Sequence, residues 1–150
     1  MADTKHQQIV AALLTRMQGI LVSGLYETNA GLNVQEWPAV EVSEADEMPA
    51  IIVRDSAVAV TRETNSTDLH TMVVSFECLA KGSTAPAEVR KVMGDVIKAI
   101  GTDLTYGGLA EDTNLVAHSL GQVSQEDRRL GGGEVQVQIE YITTHMNPFT

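Results

Sequence analysis

Apolar residues between Leu69 and Gly101 recur first at every second position and then at helical spacing. Met72, Val74, Phe76, Cys78 and Ala80 share one face; Thr71, Val73, Ser75, Glu77 and Leu79 make a mixed opposite face. That alternation predicts a strand with one buried side. Beyond a short loop, Val89, Val92, Met93, Val96, Ile97 and Ile100 fall on one helical stripe. Pro86 suits the first helical turn, where a missing N–H leaves no bond unmade. Gly101 suits the left-handed position just past the end. A sheet face and a helix stripe joined this closely must bury each other, so this unit is the predicted core. It carries no chemistry by itself.

The same reading extends to both sides. Ile9, Val10, Leu13, Leu14, Met17, Ile20 and Leu21 predict a helix from Asp3 to about Val22, capped by Asp3 or Thr4 and stopped at Gly24. Trp37 to Val42 alternates, with Val40 and Val42 on one face and Pro38 marking an edge or a strand start. An acidic turn or loop covers residues 43–48. Residues 49–53 and 57–63 read as strand, with Asp55 and Ser56 marking a bulge or bend between them. Asn65 to Asp68 is a turn signal. After Gly101 a turn-rich stretch holds Gly107 and Gly108, and Leu115 to Val123 reads as a strand. Residues 121–134 read as a flexible loop, because Gly131, Gly132 and Gly133 offer no side chains to pack. Glu134 to Thr144 is a clean strand with Val135, Val137, Ile139 and Tyr141 inward, followed by a short tail, 145–150. The sum is a single α+β domain: two helices packed on one face of a mostly antiparallel sheet, a two-layer sandwich.

Composition changes this picture in two ways. Aromatic residues are only 4% of the 150, so the core is aliphatic and rich in Met. The formal net charge is −10, and the acid is concentrated: nine Asp and Glu between Glu27 and Asp68 face only Arg54 and Arg62. Attraction to nucleic acid needs clustered Lys and Arg, so this balance argues against it. Cys78 is the only cysteine, which excludes an internal disulfide and a cysteine-rich zinc site. No apolar run reaches the length of a membrane span, and MADTKHQQ lacks the apolar stretch of a secretory signal. An intracellular origin is the simplest expectation.

Candidate chemistry is sparse. His6, His70, His118 and His145 are scattered, without the spacing of metal ligands. Asp46-Glu47, Glu111-Asp112 and Glu126-Asp127 are adjacent acids of the kind that loops keep solvated. The triple glycine lacks the Lys and Ser/Thr of a phosphate loop and precedes a strand rather than a helix. Cys78 and His70 lie roughly 26 Å apart at strand rise, too far for a dyad. No catalytic role, metal or cofactor is expected; a small enzyme using His70 or His118 is the least favoured reading. The features that remain concern assembly. Glu126, Asp127, Arg128 and Arg129 put both signs of charge in one loop, and Arg62, Glu63, Asp46 and Glu47 are further candidate contacts with a partner or another subunit.

Several stretches in succession complete the reading. They are the N-terminal HQQIVAALLTRMQGI, then MPAIIV (48–53), then the strand and helix described first, then TDLTYGGLAEDT (102–113), and last VQIEYITTHMNPF (137–149). In that order the chain resembles the phage tail terminator, or tail completion, proteins of the lambda minor tail protein U type. The resemblance implies an α+β subunit without catalysis, assembling into a ring, a hexamer, in the virion. Such a ring caps the head-proximal end of the tail tube, ends its polymerisation and meets the head-tail connector protein. The implied partners are therefore other copies of the chain, the tail tube protein and the connector, with DNA passing through the pore without specific binding. A neighbouring neck or head-completion protein is the alternative of the same kind.

Overall fold

The computed structural model describes residues 2–38, 47–125 and 128–150. Helix α1 (Lys5–Gln18) begins where the Thr4 hydroxyl accepts the Gln7 N–H at 3.1 Å, so Thr4 rather than Asp3 is the cap. It ends four residues earlier than its apolar spacing predicts. Gly19 takes the cap position and Leu21 is already extended, leading into short 3-10 turns at Val22–Gly24 and Ala30–Leu32. Strand β1 (Val34–Glu36) runs parallel to β2 (Ala50–Arg62). After β2 come β3 (Thr67–Lys81), α2 (Ala85–Gly101), β4 (Asp112–Gln125) and β5 (Arg128–Thr144). The sheet order is β1-β2-β3-β5-β4, and every pairing except β1 with β2 is antiparallel.

Both helices cover one sheet face, which makes the fold the predicted α+β two-layer sandwich. Met72, Val74 and Phe76 of β3 and Val135, Val137 and Ile139 of β5 are buried beneath them. From the helices, Val89, Val92 and Val96 of α2 and Ile9, Leu13 and Met17 of α1 close the core. Asp95, on the buried side of α2, accepts the N–H groups of Glu27 and Thr28 at 3.1 and 2.9 Å and the Thr28 hydroxyl at 2.8 Å. It thereby fastens the connection between α1 and β1 to α2. Among the described residues, no helix lies over the opposite sheet face. It carries half-exposed polar side chains such as Thr71, Ser75, Gln136 and Gln138, and one small buried apolar cluster of Ala50, Ile52 and Leu79. Among the described residues, no helix is long and apolar enough to cross a membrane.

Four local expectations change. Gly101 is the last residue of α2, and Thr102 caps it in right-handed geometry. The left-handed glycines are Gly82, Gly107 and Gly108, in turns. The strand predicted at Trp37 to Val42 does not include Trp37, which has φ 41°, or Pro38, and β1 lies just before it; residues 39–42 lie outside the described residues, as does most of the acidic stretch at 43–48. Residues 145–150 do not trail away: Thr150 accepts the Thr144 N–H at 3.1 Å, and Pro148 accepts that of Lys5 at 2.8 Å.

The fourth change is the largest. The expected loop at 121–134 is the two arms of the β4–β5 hairpin; only positions 126 and 127, where it turns, lie outside the described residues. The glycines there answer a packing need. A Cβ on Gly133 would lie 2.5 Å from Met93 Sδ and 2.8 Å from Val89 Cγ1. One on Gly131 would lie 3.0 Å from the Ala85 Cβ. The first turns of α2 rest directly on the β5 backbone, which a side chain would hold away.

Candidate functional site

The residues that carry chemistry are engaged within the fold. His6 Nε2 lies 2.7 Å from Asp55 Oδ2, and Trp37 Nε1 donates to Asp55 Oδ1 at 2.8 Å. Burial works against the ionised form of Asp55, but the bonds from Trp37 and His6 outweigh it and hold the carboxyl below its ordinary range. His145 Nδ1 lies 2.8 Å from Asp68 Oδ1, and the Met146 N–H donates to Oδ2 of the same carboxylate at 3.1 Å. These bonds lower Asp68 in turn. Both pairs tie the chain ends to the sheet. Lys5 adds a third tie, donating to the Ile142 carbonyl at 2.7 Å.

His70 stacks on Tyr141, with ring centroids 4.6 Å apart and planes 9° from parallel, and its Nε2 lies 2.9 Å from Thr143 Oγ1. Burial lowers its pKa below the ordinary value; Asp68 opposes the shift, and His6 and Lys5 add to it. Cys78 is fully buried on the core face, where burial pushes the thiol far up. His118 stands exposed on β4. Among the described residues, no group of three or more His, Cys, Asp or Glu is placed to hold a metal ion.

The lowered His70 has a measurable consequence. In the unfolded chain His70 takes up a proton near pH 6.5, while the folded form resists it. The unfolded state therefore binds more protons as pH falls from 7 toward 5, and His70 subtracts stability over that window. Urea titrations at pH 7 and pH 5 check this. His70→Gln is expected to lose less stability than wild type between the two, and an equal loss in both proteins would contradict it. The lowered Asp55 and Asp68 act further down, contributing stability above the unfolded carboxylate pKa that disappears as pH falls through their folded values.

The charged candidates separate into two places. Arg62 and Glu63 close β2 at the β2–β3 turn. Arg128 and Arg129 open β5 opposite Gln125 and Ser124, beyond the far end of β3. At strand rise these sites stand about 45–50 Å apart. Glu47 is exposed just before β2, at the hairpin end of the sheet. Asp46, Glu126 and Asp127 lie outside the described residues. No single surface gathers the charged candidates that lie among the described residues.

The fold instead exposes a feature that charge did not mark. Among the described residues, β4 is the outer strand and pairs only with β5. Leu115, Val116 and Leu120 on it are 49%, 54% and 48% exposed. Beside Leu115 an apolar cleft of about 210 Å³ opens between β4 and the end of α2, lined by Ile97, Ile100, Leu104 and Val137 among others. The alternation on β4 is broken by a register shift between Leu115 and Ala117, which places Leu115 and Leu120 on the same, helix-bearing face although they are five residues apart. The signal in the sequence was the cluster of large apolar residues in an otherwise polar stretch. A search with family models finds no match to the chain, and a search of curated proteins finds none either.

Proposed function

We propose that this chain is a structural virion protein of a tailed phage, a terminator whose ring caps the head-proximal end of the tail tube. There it ends tube polymerisation and offers the head connector a surface to join. The observation that carries the proposal is the long open edge of β4, with Leu115, Val116 and Leu120 half in water beside an apolar cleft. Exposed apolar residues along an open strand edge suit a protein whose working state is an assembly. The order of elements supports the same reading, since the succession of stretches that resembles tail terminators falls in α1, β2, β3, α2, the turn after α2 and β5.

Electrostatics adds support. The helix-free face bears Glu77, Glu134, Glu140 and Asp112 together with Lys81 and with Arg54, which is paired with Glu77. Facing a polyanion, an acidic wall repels rather than binds, which suits DNA passing through a pore. Light scattering on the purified protein tests the assembly. The proposal expects a discrete species at six chain masses, and a strict monomer at all concentrations would overturn it.

A further inference from the structure

The geometry points to how the copies meet: β4 of one subunit adds to the Ser56–Arg62 stretch of β2 in the next, so that the sheet continues from subunit to subunit. This inference rests on the ring proposed above and names its contact surface.

Among the described residues, both outer edges of the sheet are open, and β4 has no partner on its outer side. At the other edge, β1 covers only Ile51, Ile52 and Val53 of β2. Among the described residues, Val58 to Arg62 pair with β3 alone, and Ser56, Ala57, Ala59, Val60, Thr61 and Arg62 are exposed. Monomeric proteins protect such edges with charged residues, proline or a covering segment. Neither Leu115–Gly121 nor Ser56–Thr61 contains a proline or an Asp, Glu, Lys or Arg.

Strand direction fits a head-to-tail contact. β2 to β3, β3 to β5 and β5 to β4 are each antiparallel, so β2 and β4 run in opposite directions. Rotation about an axis along the strands preserves those directions from copy to copy. β4 of one copy then meets β2 of the next antiparallel, and repeated rotation closes a ring.

Side chains fit as well. Val58 pairs with Met72 and Val60 with His70, while Leu115 pairs with Val137, so Val58, Val60 and Leu115 all stand on the helix-bearing face. Val60 is 56% exposed. Setting Val60 of one copy opposite Leu115 of its neighbour brings its methyl groups to the mouth of the apolar cleft. Two residues on, Arg62 then comes opposite Thr113, next to Glu111 and Asp112. Among the described residues, the Arg62 guanidinium donates only to the carbonyls of Thr64 and Asn65. The apolar pair and the charge pair are satisfied in one register.

Cysteine cross-linking tests the contact. Leu115→Cys is combined in one chain with Val58→Cys, Val60→Cys or Arg62→Cys in turn, which covers neighbouring registers. Within one subunit the two edges are three strands apart, about 14 Å, beyond disulfide reach. The buried Cys78 thiol stays out of the reaction. On oxidation, at least one double variant is expected to give a ladder of covalent multimers ending at the ring, while each single variant stays at one chain on a denaturing gel. A covalent dimer from Leu115→Cys alone would mean that two β4 strands meet each other, and would overturn the inference. So would rings seen by light scattering with no ladder from any double variant; that outcome leaves the ring proposal standing. A wild-type monomer would remove both.

Discussion

Val137→Asp is expected to abolish the folded state. Val137 is 1% exposed at the centre of the sheet, paired with Val74 on one side and Leu115 on the other, and it borders the cleft formed with Ile97 and Ile100 of α2. Among the described residues, no cation in the core stands ready to meet a carboxylate there. A buried charge without a partner costs several kcal/mol, here about 4 kcal/mol or more even after the carboxyl takes up a proton. A domain of this size has roughly 5–15 kcal/mol in total. Urea unfolding followed by circular dichroism should show no cooperative transition, or one displaced to very low denaturant. Gln138→Asp, one residue along and on the helix-free face, is expected to change stability by less than about 1 kcal/mol. Equal behaviour of the two variants would contradict the assignment of faces on β5.

Gly31→Ala is expected to destabilise the fold strongly. A Cβ at this position would lie 2.6 Å from the Gln18 carbonyl oxygen, 2.7 Å from that of Ile20 and 2.8 Å from that of Met17. All three are backbone atoms at the end of α1, so no rotamer change relieves the clash. The turn at Ala30–Leu32 must instead move away from the helix, breaking the bond of 2.9 Å from the Gly31 N–H to Ile20. Overpacking of this kind costs about 3 kcal/mol, which lowers the melting temperature of a 150-residue domain by roughly 10 °C. Gly94→Ala gives the opposite sign. Gly94 is an exposed position inside α2 with nothing within 4 Å of an added Cβ. Alanine there should stabilise by about 0.5–1 kcal/mol through helix propensity and a smaller unfolded-state entropy. Thermal scans of the two variants read both effects.

These effects also mark where sequence pattern carries information and where it does not. β3 and α2 were legible because each buries one full face over many residues, so the period repeats often enough to be read. The bend at Asp55 was legible too, and the structure has a register shift between Asp55 and Val58. β1 was not, because three residues hold no period and its partner, β2, lies outside the local sequence. The β4–β5 hairpin was hidden for a different reason. Gly131 and Gly133 lack side chains because α2 occupies their place, and a pattern built on side chains reads such glycines as loop. Long-range packing decided that segment, and local propensity misled.

The candidate contacts divide along similar lines. Charge drew attention to Arg62, Glu63, Arg128 and Arg129, which the fold places at opposite ends of the sheet. Leu115 and Leu120 escaped notice because the break in register at Val116 disguises their common face. That β4 is an edge strand is a property of topology, set by the order in which strands β2 to β5 pair, and no local stretch of sequence encodes it.

The proposed role is tested most directly by tail length. Phage particles assembled without this protein should carry tubes that run past the normal length, with a broad distribution in electron micrographs, and adding the purified protein during assembly should restore a single length. Filled heads with no tails would place the protein in the neck instead. Tails of normal length joined to their heads would contradict the account.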